Sequence, residues 1–147
     1  MLPKSSPRVA EVIKLANLIA REYDQEYVGT EHVLLAIQRE GTGVGAALLS
    51  KRGVTAPKLR EEIDRLVKRQ LEDTWVFGRL PGTPHFKNVM AIAIRQCEQL
   101  QAKEVCTEHI LLALLVEGGS VACKALATLG LKLDDVRADL VEMTARP

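Results

Sequence analysis

From Pro7 the apolar residues Val9, Val12, Ile13, Ala16, Ala20 and Tyr23 recur every three or four positions, which is the spacing of one face of an α-helix. Ser6 is placed to cap this helix and Pro7 to occupy its first position, so a helix is predicted from Pro7 to about Asp24. The polar stretch Asp24 to Gly29 ends it. Thr30 then reads as the cap of a second helix, with Val33, Leu34, Ala36 and Ile37 inward and Gly41 as its stop. After Gly41-Thr42-Gly43, a short apolar helix from Val44 to Lys51 carries Leu48 and Leu49 and closes at Gly53. A fourth helix, capped by Thr55, places Leu59, Ile63, Leu66 and Val67 on one side. No segment shows sustained period-two alternation, so the pattern predicts an all-α protein.

The pattern then starts again. Thr30-Glu31-His32-Val33-Leu34-Leu35-Ala36-Ile37 returns as Thr107-Glu108-His109-Ile110-Leu111-Leu112-Ala113-Leu114, a shift of 77 residues (107 − 30). The same ungapped shift pairs Pro7 with Pro84, Ala16 with Ala93, Gly41 with Gly118 and Gly53 with Gly130, which marks a tandem repeat. Thr83 is expected to cap and Pro84 to open the fifth helix, Thr107 to cap the sixth, Val121 to Leu129 to form the seventh, and Val136, Leu140 and Met143 to line the eighth. Eight helices in two units of four follow, with a first repeat at 1–70, a linking segment at 71–83 and a second repeat at 84–147. The linking segment holds Trp75 and Phe77, expected to tuck between the repeats or to anchor a partner.

At 147 residues the chain can bury one compact core, and an aromatic share of 3% makes that core aliphatic. Lys and Arg number 20 against 19 Asp and Glu, so no overall field draws the chain to nucleic acid or to a membrane, and neither is an expected partner. Cys97, Cys106 and Cys123 are odd in number and confined to the second half, unlike a disulfide framework. The start of the chain offers no signal peptide, and the expected compartment is the cytoplasm.

Candidate chemistry is sparse. Glu31 and Glu108 fall in the first turn of their predicted helices, where the dipole favours an anion by roughly 0.3–1 kcal/mol. Pointing away from the packed stripe, each carboxylate is expected to be accessible and to suit a guanidinium. His32 and His109 invite a metal reading, but His85 is the sole further histidine and no zinc spacing occurs, so no metal and no cofactor are expected. Each histidine is expected to hydrogen-bond a neighbouring loop or the other repeat. A Cys106–His109 nucleophile is conceivable, yet Gly29 stands where Cys106 stands, Ala46 where Cys123 stands and Ala20 where Cys97 stands, as at small packing positions. The glycine-rich turns lack a phosphate-loop lysine, and the basic residues from Lys51 to Arg69 alternate with acids as on a solvated face. No catalytic residue is assigned.

The run Tyr27 to Ala36, with Arg39-Glu40-Gly41 and Leu49 to Gly53, resembles the Clp N-terminal repeat, and Thr107 to Leu114 through Leu129-Gly130 resembles it as closely. With Thr83-Pro84 opening the second unit, the resemblance covers nearly the whole chain and is nearest to the N-terminal domains of ClpC-type unfoldases. It implies a pseudo-twofold body of two four-helix repeats that is not an enzyme and that binds protein substrates or adaptors for a Clp unfoldase and protease. It also leaves open a stand-alone accessory subunit that docks on the Clp protease core without a client site. In ClpC-type domains of Gram-positive bacteria the glutamate of the Thr-Glu-His motif recognises phosphoarginine, and the resemblance therefore implies sites at Glu31 and Glu108, beside Thr30 and Thr107. Helix starts near Ser6 and Thr83 would then receive the phosphate. Asp24-Gln25 and Gln101-Ala102 stand where the family has Gly-His, Cys106 where it has glycine, and His85-Phe86 where arginine and a small residue are usual.

Overall fold

A computed structural model describes residues 4–24, 28–73 and 83–145. In chain order it places β1 (Lys4–Ser5), α1 (Pro7–Glu22), α2 (Thr30–Glu40), α3 (Val44–Lys51), α4 (Ala56–Asp73), α5 (Thr83–Gln99), β2 (Glu104–Val105), α6 (Thr107–Glu117), α7 (Val121–Thr128) and α8 (Leu133–Ala145). The eight predicted helices are present. Among the described residues the all-α pattern is interrupted only by the two-residue strands β1 and β2, which pair in parallel with Lys4 opposite Glu104 and Ser5 opposite Val105. One further bond, from the Ser6 N–H to the Val105 carbonyl at 2.9 Å, continues the pair and pins the start of α1 beside the start of α6.

The helices α2 and α6 form the centre. Every residue from Thr30 to Ile37 is buried, and from Thr107 to Leu114 all but Glu108 are. A single apolar stripe cannot account for that; these two helices are covered on all sides, by α1 along α2, by α5 along α6, and by contacts with each other. Leu34, Ile37, Leu111 and Leu114 are completely buried. No single helix among the described residues is long and apolar enough to cross a membrane.

Several ends follow the predicted signals. Ser6 caps α1 by accepting from the Val9 N–H at 3.2 Å, and α2 and α6 stop at Gly41 (φ 76°) and Gly118 (φ 79°), left-handed positions that glycine adopts without a Cβ clash. Helix α4 runs further than predicted, to Asp73, into the segment read as linker. Trp75 and Phe77 lie outside the described residues.

The two repeats are joined by reciprocal bonds. The Thr107 hydroxyl accepts from the Gly45 N–H at 2.9 Å, at the start of α3 in the first repeat. The Thr30 hydroxyl accepts from the Ala122 N–H at 3.4 Å, at the start of α7 in the second. Both threonines and both donor positions, Gly45 and Ala122, are related by the 77-residue shift, so the contact is exchanged as a twofold axis requires. Gly45 has no room for a side chain there, since a Cβ would stand 2.9 Å from the Thr107 carbonyl oxygen. A further link is unpaired by symmetry: Arg52, after α3, grips the buried Asp139 of α8 through two bonds of 2.7 and 2.9 Å. That guanidinium, with Lys51 beside it, holds the Asp139 carboxyl below its ordinary range against the opposing effect of burial.

Candidate binding clefts

The Thr-Glu-His motif divides its work differently from the sequence expectation. The cap is one residue earlier, at Gly29 for α2 and Cys106 for α6, both in extended backbone. Thr30 and Thr107 are therefore the first helical residues, and their hydroxyls serve helices of the opposite repeat rather than their own. The histidine comes third and turns back: His32 Nδ1 accepts from the Gly29 N–H at 2.9 Å, and His109 Nδ1 from the Cys106 N–H at 2.8 Å. Each imidazole so occupies the role that glutamate or glutamine fills in a capping box. An accepting Nδ1 carries no proton, which places the proton of the neutral ring on Nε2. Burial depresses the His32 pKa to about 4 and lowers that of His109, with the Glu108 charge opposing. The histidines are structural, and no group of three His, Cys, Asp or Glu residues gathers among the described residues as a metal site would need.

The glutamate between them is the part of the motif that differs between repeats. Glu108 is half-buried and opens on a cleft of about 520 Å³ between the starts of α1 and α6 and the α2–α3 turn, with Ser6, Pro7, Arg8 and Glu40 on its walls. Arg8 Nε donates to the Thr42 hydroxyl at 3.0 Å, and Thr42 donates in turn to Glu40. Glu40 also accepts from the Thr42 and Gly43 N–H groups at 3.1 and 2.9 Å. Burial raises its pKa, but these bonds and the nearby Arg8 charge outweigh that and keep it below the ordinary value. The carboxylates of Glu11, Glu104 and Glu108 also line the cleft, so one guanidinium faces several acids.

The 77-residue shift carries Arg8 to His85, Glu40 to Glu117, Thr42 to Gly119 and Glu108 to Glu31. There the arrangement is closed. His85 Nδ1 lies 3.0 and 2.9 Å from the two carboxylate oxygens of Glu117, and its ring rests on the α6–α7 turn, where a Cβ on Gly119 would be 3.2 Å from His85 Cε1. Glu31 is only 5% exposed and its Oε1 has no hydrogen-bond partner. Burial pushes its pKa up to about 7, against a bond from its own backbone N–H and the His85 charge. The expectation that both glutamates are accessible is thus corrected for Glu31, because the start of α2 is enclosed where the start of α6 is not.

Of the other candidates, Ser6 is buried as a helix cap and Thr30 and Thr107 are buried in the inter-repeat bonds. Thr83 begins α5, and its side chain lies outside the described residues. Sequence reading missed Arg8, Thr42 and the Glu40–Glu117 correspondence. The last was visible as an acid in both copies, like Glu31 and Glu108.

The family model of the Clp repeat (R) N-terminal domain matches residues 4–118 and 83–147. The chain is 35% identical over 143 residues to an ATP-dependent Clp protease ATP-binding subunit ClpA homolog of Cyanidium caldarium, covering 97% of this chain and 16% of that protein. It is 32% identical to the chloroplastic chaperone protein ClpC1 of Oryza sativa subsp. japonica, covering 97% of this chain and 15% of that one. The chain thus spans about a sixth of the length of these relatives. Among solved structures, the N-terminal domain of the caseinolytic protease associated chaperone ClpD from Arabidopsis thaliana shares the fold with TM-score 0.73 at 20% identity, covering 97% of this chain and 96% of that one. The Hsp104 N-terminal domain from Candida albicans does so with TM-score 0.69 at 18% identity, covering 97% and 92%. With two internal repeats, an exchanged pair of inter-repeat caps and a family match over both halves, the chain belongs to the Clp N-terminal repeat domain family.

Proposed function

We propose that the chain is a non-catalytic binding module that recruits protein substrates or adaptors to a Clp-type unfoldase or protease. It holds them at the Glu108 cleft through a guanidinium-bearing side chain, phosphoarginine among them. The observation that carries this reading is that the Glu108 carboxylate and the Arg8 guanidinium line one open cleft at the start of α1. A carboxylate accepts the planar N–H fork of a guanidinium in two parallel bonds. The surrounding acids favour that cation further, while Arg8 and the positive end of the 16-residue helix α1 favour a phosphate carried on it. Ser6 acts indirectly, by fixing the first turn of α1, and Thr107 by fixing the start of α3.

Isothermal titration of the chain with a phosphoarginyl peptide and with its unmodified arginyl counterpart tests the assignment. Both peptides bind, and Arg8→Gln weakens the phosphoarginyl peptide by about tenfold, the value of one charge-assisted hydrogen bond, while affecting the arginyl peptide less. Absence of binding by either peptide to the wild-type chain overturns the reading.

A further inference from the structure

The repeats also differ where α1 and α5 end, away from the Glu108 cleft and independently of what binds there. In the first repeat Tyr23 follows α1 with its ring centroid 5.2 Å from Arg60 Cζ. Its hydroxyl donates to Asp64 Oδ1 at 2.5 Å. Ring, guanidinium and carboxylate form one closed cluster, with Arg60 and Asp64 one helical turn apart on α4. The 77-residue shift carries Tyr23 to Leu100, Arg60 to Arg137 and Asp64 to Val141. The second repeat therefore keeps the guanidinium and loses both the ring and the acid.

A groove of about 220 Å³ is left between the end of α5 and α8, lined by Leu100, Leu112, Leu140, Val141 and Arg137, with the amides of Gln96 and Gln99 on its α5 side. Leu100 is 47% exposed and Val141 62%, among the largest exposures of apolar side chains on the described residues. None of the groove's lining residues is a carboxylate. A guanidinium beside apolar side chains attracts the face of an aromatic ring and, next to it, a negative charge. These are the two groups that the first repeat supplies from its own chain.

We infer that the α5–α8 groove is a docking site for a partner protein segment bearing an aromatic side chain next to a carboxylate. The ring inserts over Leu112 and Leu140 beneath the Arg137 guanidinium, as Tyr23 lies beneath Arg60. The carboxylate takes the place that Asp64 holds in the first repeat and pairs with Arg137 at the rim.

The test is a methyl-resolved NMR titration of the full chain with the capped tripeptide Asp-Tyr-Glu, alongside Asp-Ala-Glu and Lys-Tyr-Lys. The first peptide shifts the methyl groups of Leu100, Leu112, Leu140 and Val141, and the two controls bind about tenfold more weakly or not at all. The double variant Leu100→Tyr, Val141→Asp rebuilds the first repeat's cluster inside the groove and abolishes the shifts. Val141→Asp alone, a surface change that pairs with Arg137 one turn away, weakens them. Three results overturn the inference: equal shifts with all three peptides, undiminished binding by the filled variants, or groove resonances already changed in the free chain by self-association or by residues 74–82.

Discussion

At the scale of single residues the Thr-Glu-His motif resolves into three separate duties, of which only one is free to serve a ligand. Threonine caps a helix in the other repeat, histidine caps its own, and glutamate is left over. The pH dependence of stability reports the state of Glu31. Its folded pKa of about 7 lies above the ordinary 4.5, so the folded chain binds the extra proton, and this contribution stabilises at low pH and is lost as pH rises through 7. His32 acts in the opposite sense: its folded pKa of about 4 lies below 6.5, so its contribution is present above 6.5 and is lost as pH falls through 4. The two slopes oppose each other where the windows overlap. Glu31→Gln removes one of them, so its urea midpoint is expected to climb more steeply than wild type between pH 4.5 and 6.5, and to exceed wild type at pH 8. Parallel profiles for the two proteins would show that Glu31 is not buried.

At the scale of helices, the sequence patterning was sufficient wherever the determining partner lay within a turn or two. The bounds of α3, the cap at Ser6 and the stops at Gly41 and Gly118 are all local, and all were legible. The caps of α2 and α6 were not, because Gly29 and Cys106 give no side-chain cap signal and Thr30 and Thr107 look like caps. Their true partners are the N–H groups of Ala122 and Gly45, 92 and 62 residues away in the chain. Removing the Thr107 hydroxyl strands a buried N–H, so Thr107→Val is expected to cost about 1–3 kcal/mol. Thr30→Val should cost less because its bond is the longer, and denaturant midpoints order the two. In the central helices, Leu34→Ala and Leu111→Ala are each expected to cost about 2–5 kcal/mol, measured in the same way, since both side chains are fully enclosed.

At the scale of the whole molecule, the twofold plan was visible in the repeat but its breaking was not. Glu31 is buried where its counterpart Glu108 opens on a cleft, and the groove beside Val141 lies where one copy has a ring and a carboxylate and the other has neither. Such features emerge only when the copies are compared in three dimensions. One position of each equivalent pair is engaged within the chain itself: His85 bonds Glu117 where Arg8 and Glu40 line a cleft, and Tyr23 bonds Asp64 where Leu100 and Val141 line a groove. The clefts are expected to be unequal in binding.

That inequality is measured most directly by titrating a phosphoarginyl peptide into the wild-type chain, Glu108→Gln and Glu31→Gln under identical conditions. The account predicts one site per wild-type chain, an affinity lowered at least tenfold by Glu108→Gln, corresponding to the loss of a charge-assisted guanidinium contact, and binding by Glu31→Gln that matches wild type. Undiminished binding by Glu108→Gln, or a loss confined to Glu31→Gln, would contradict it.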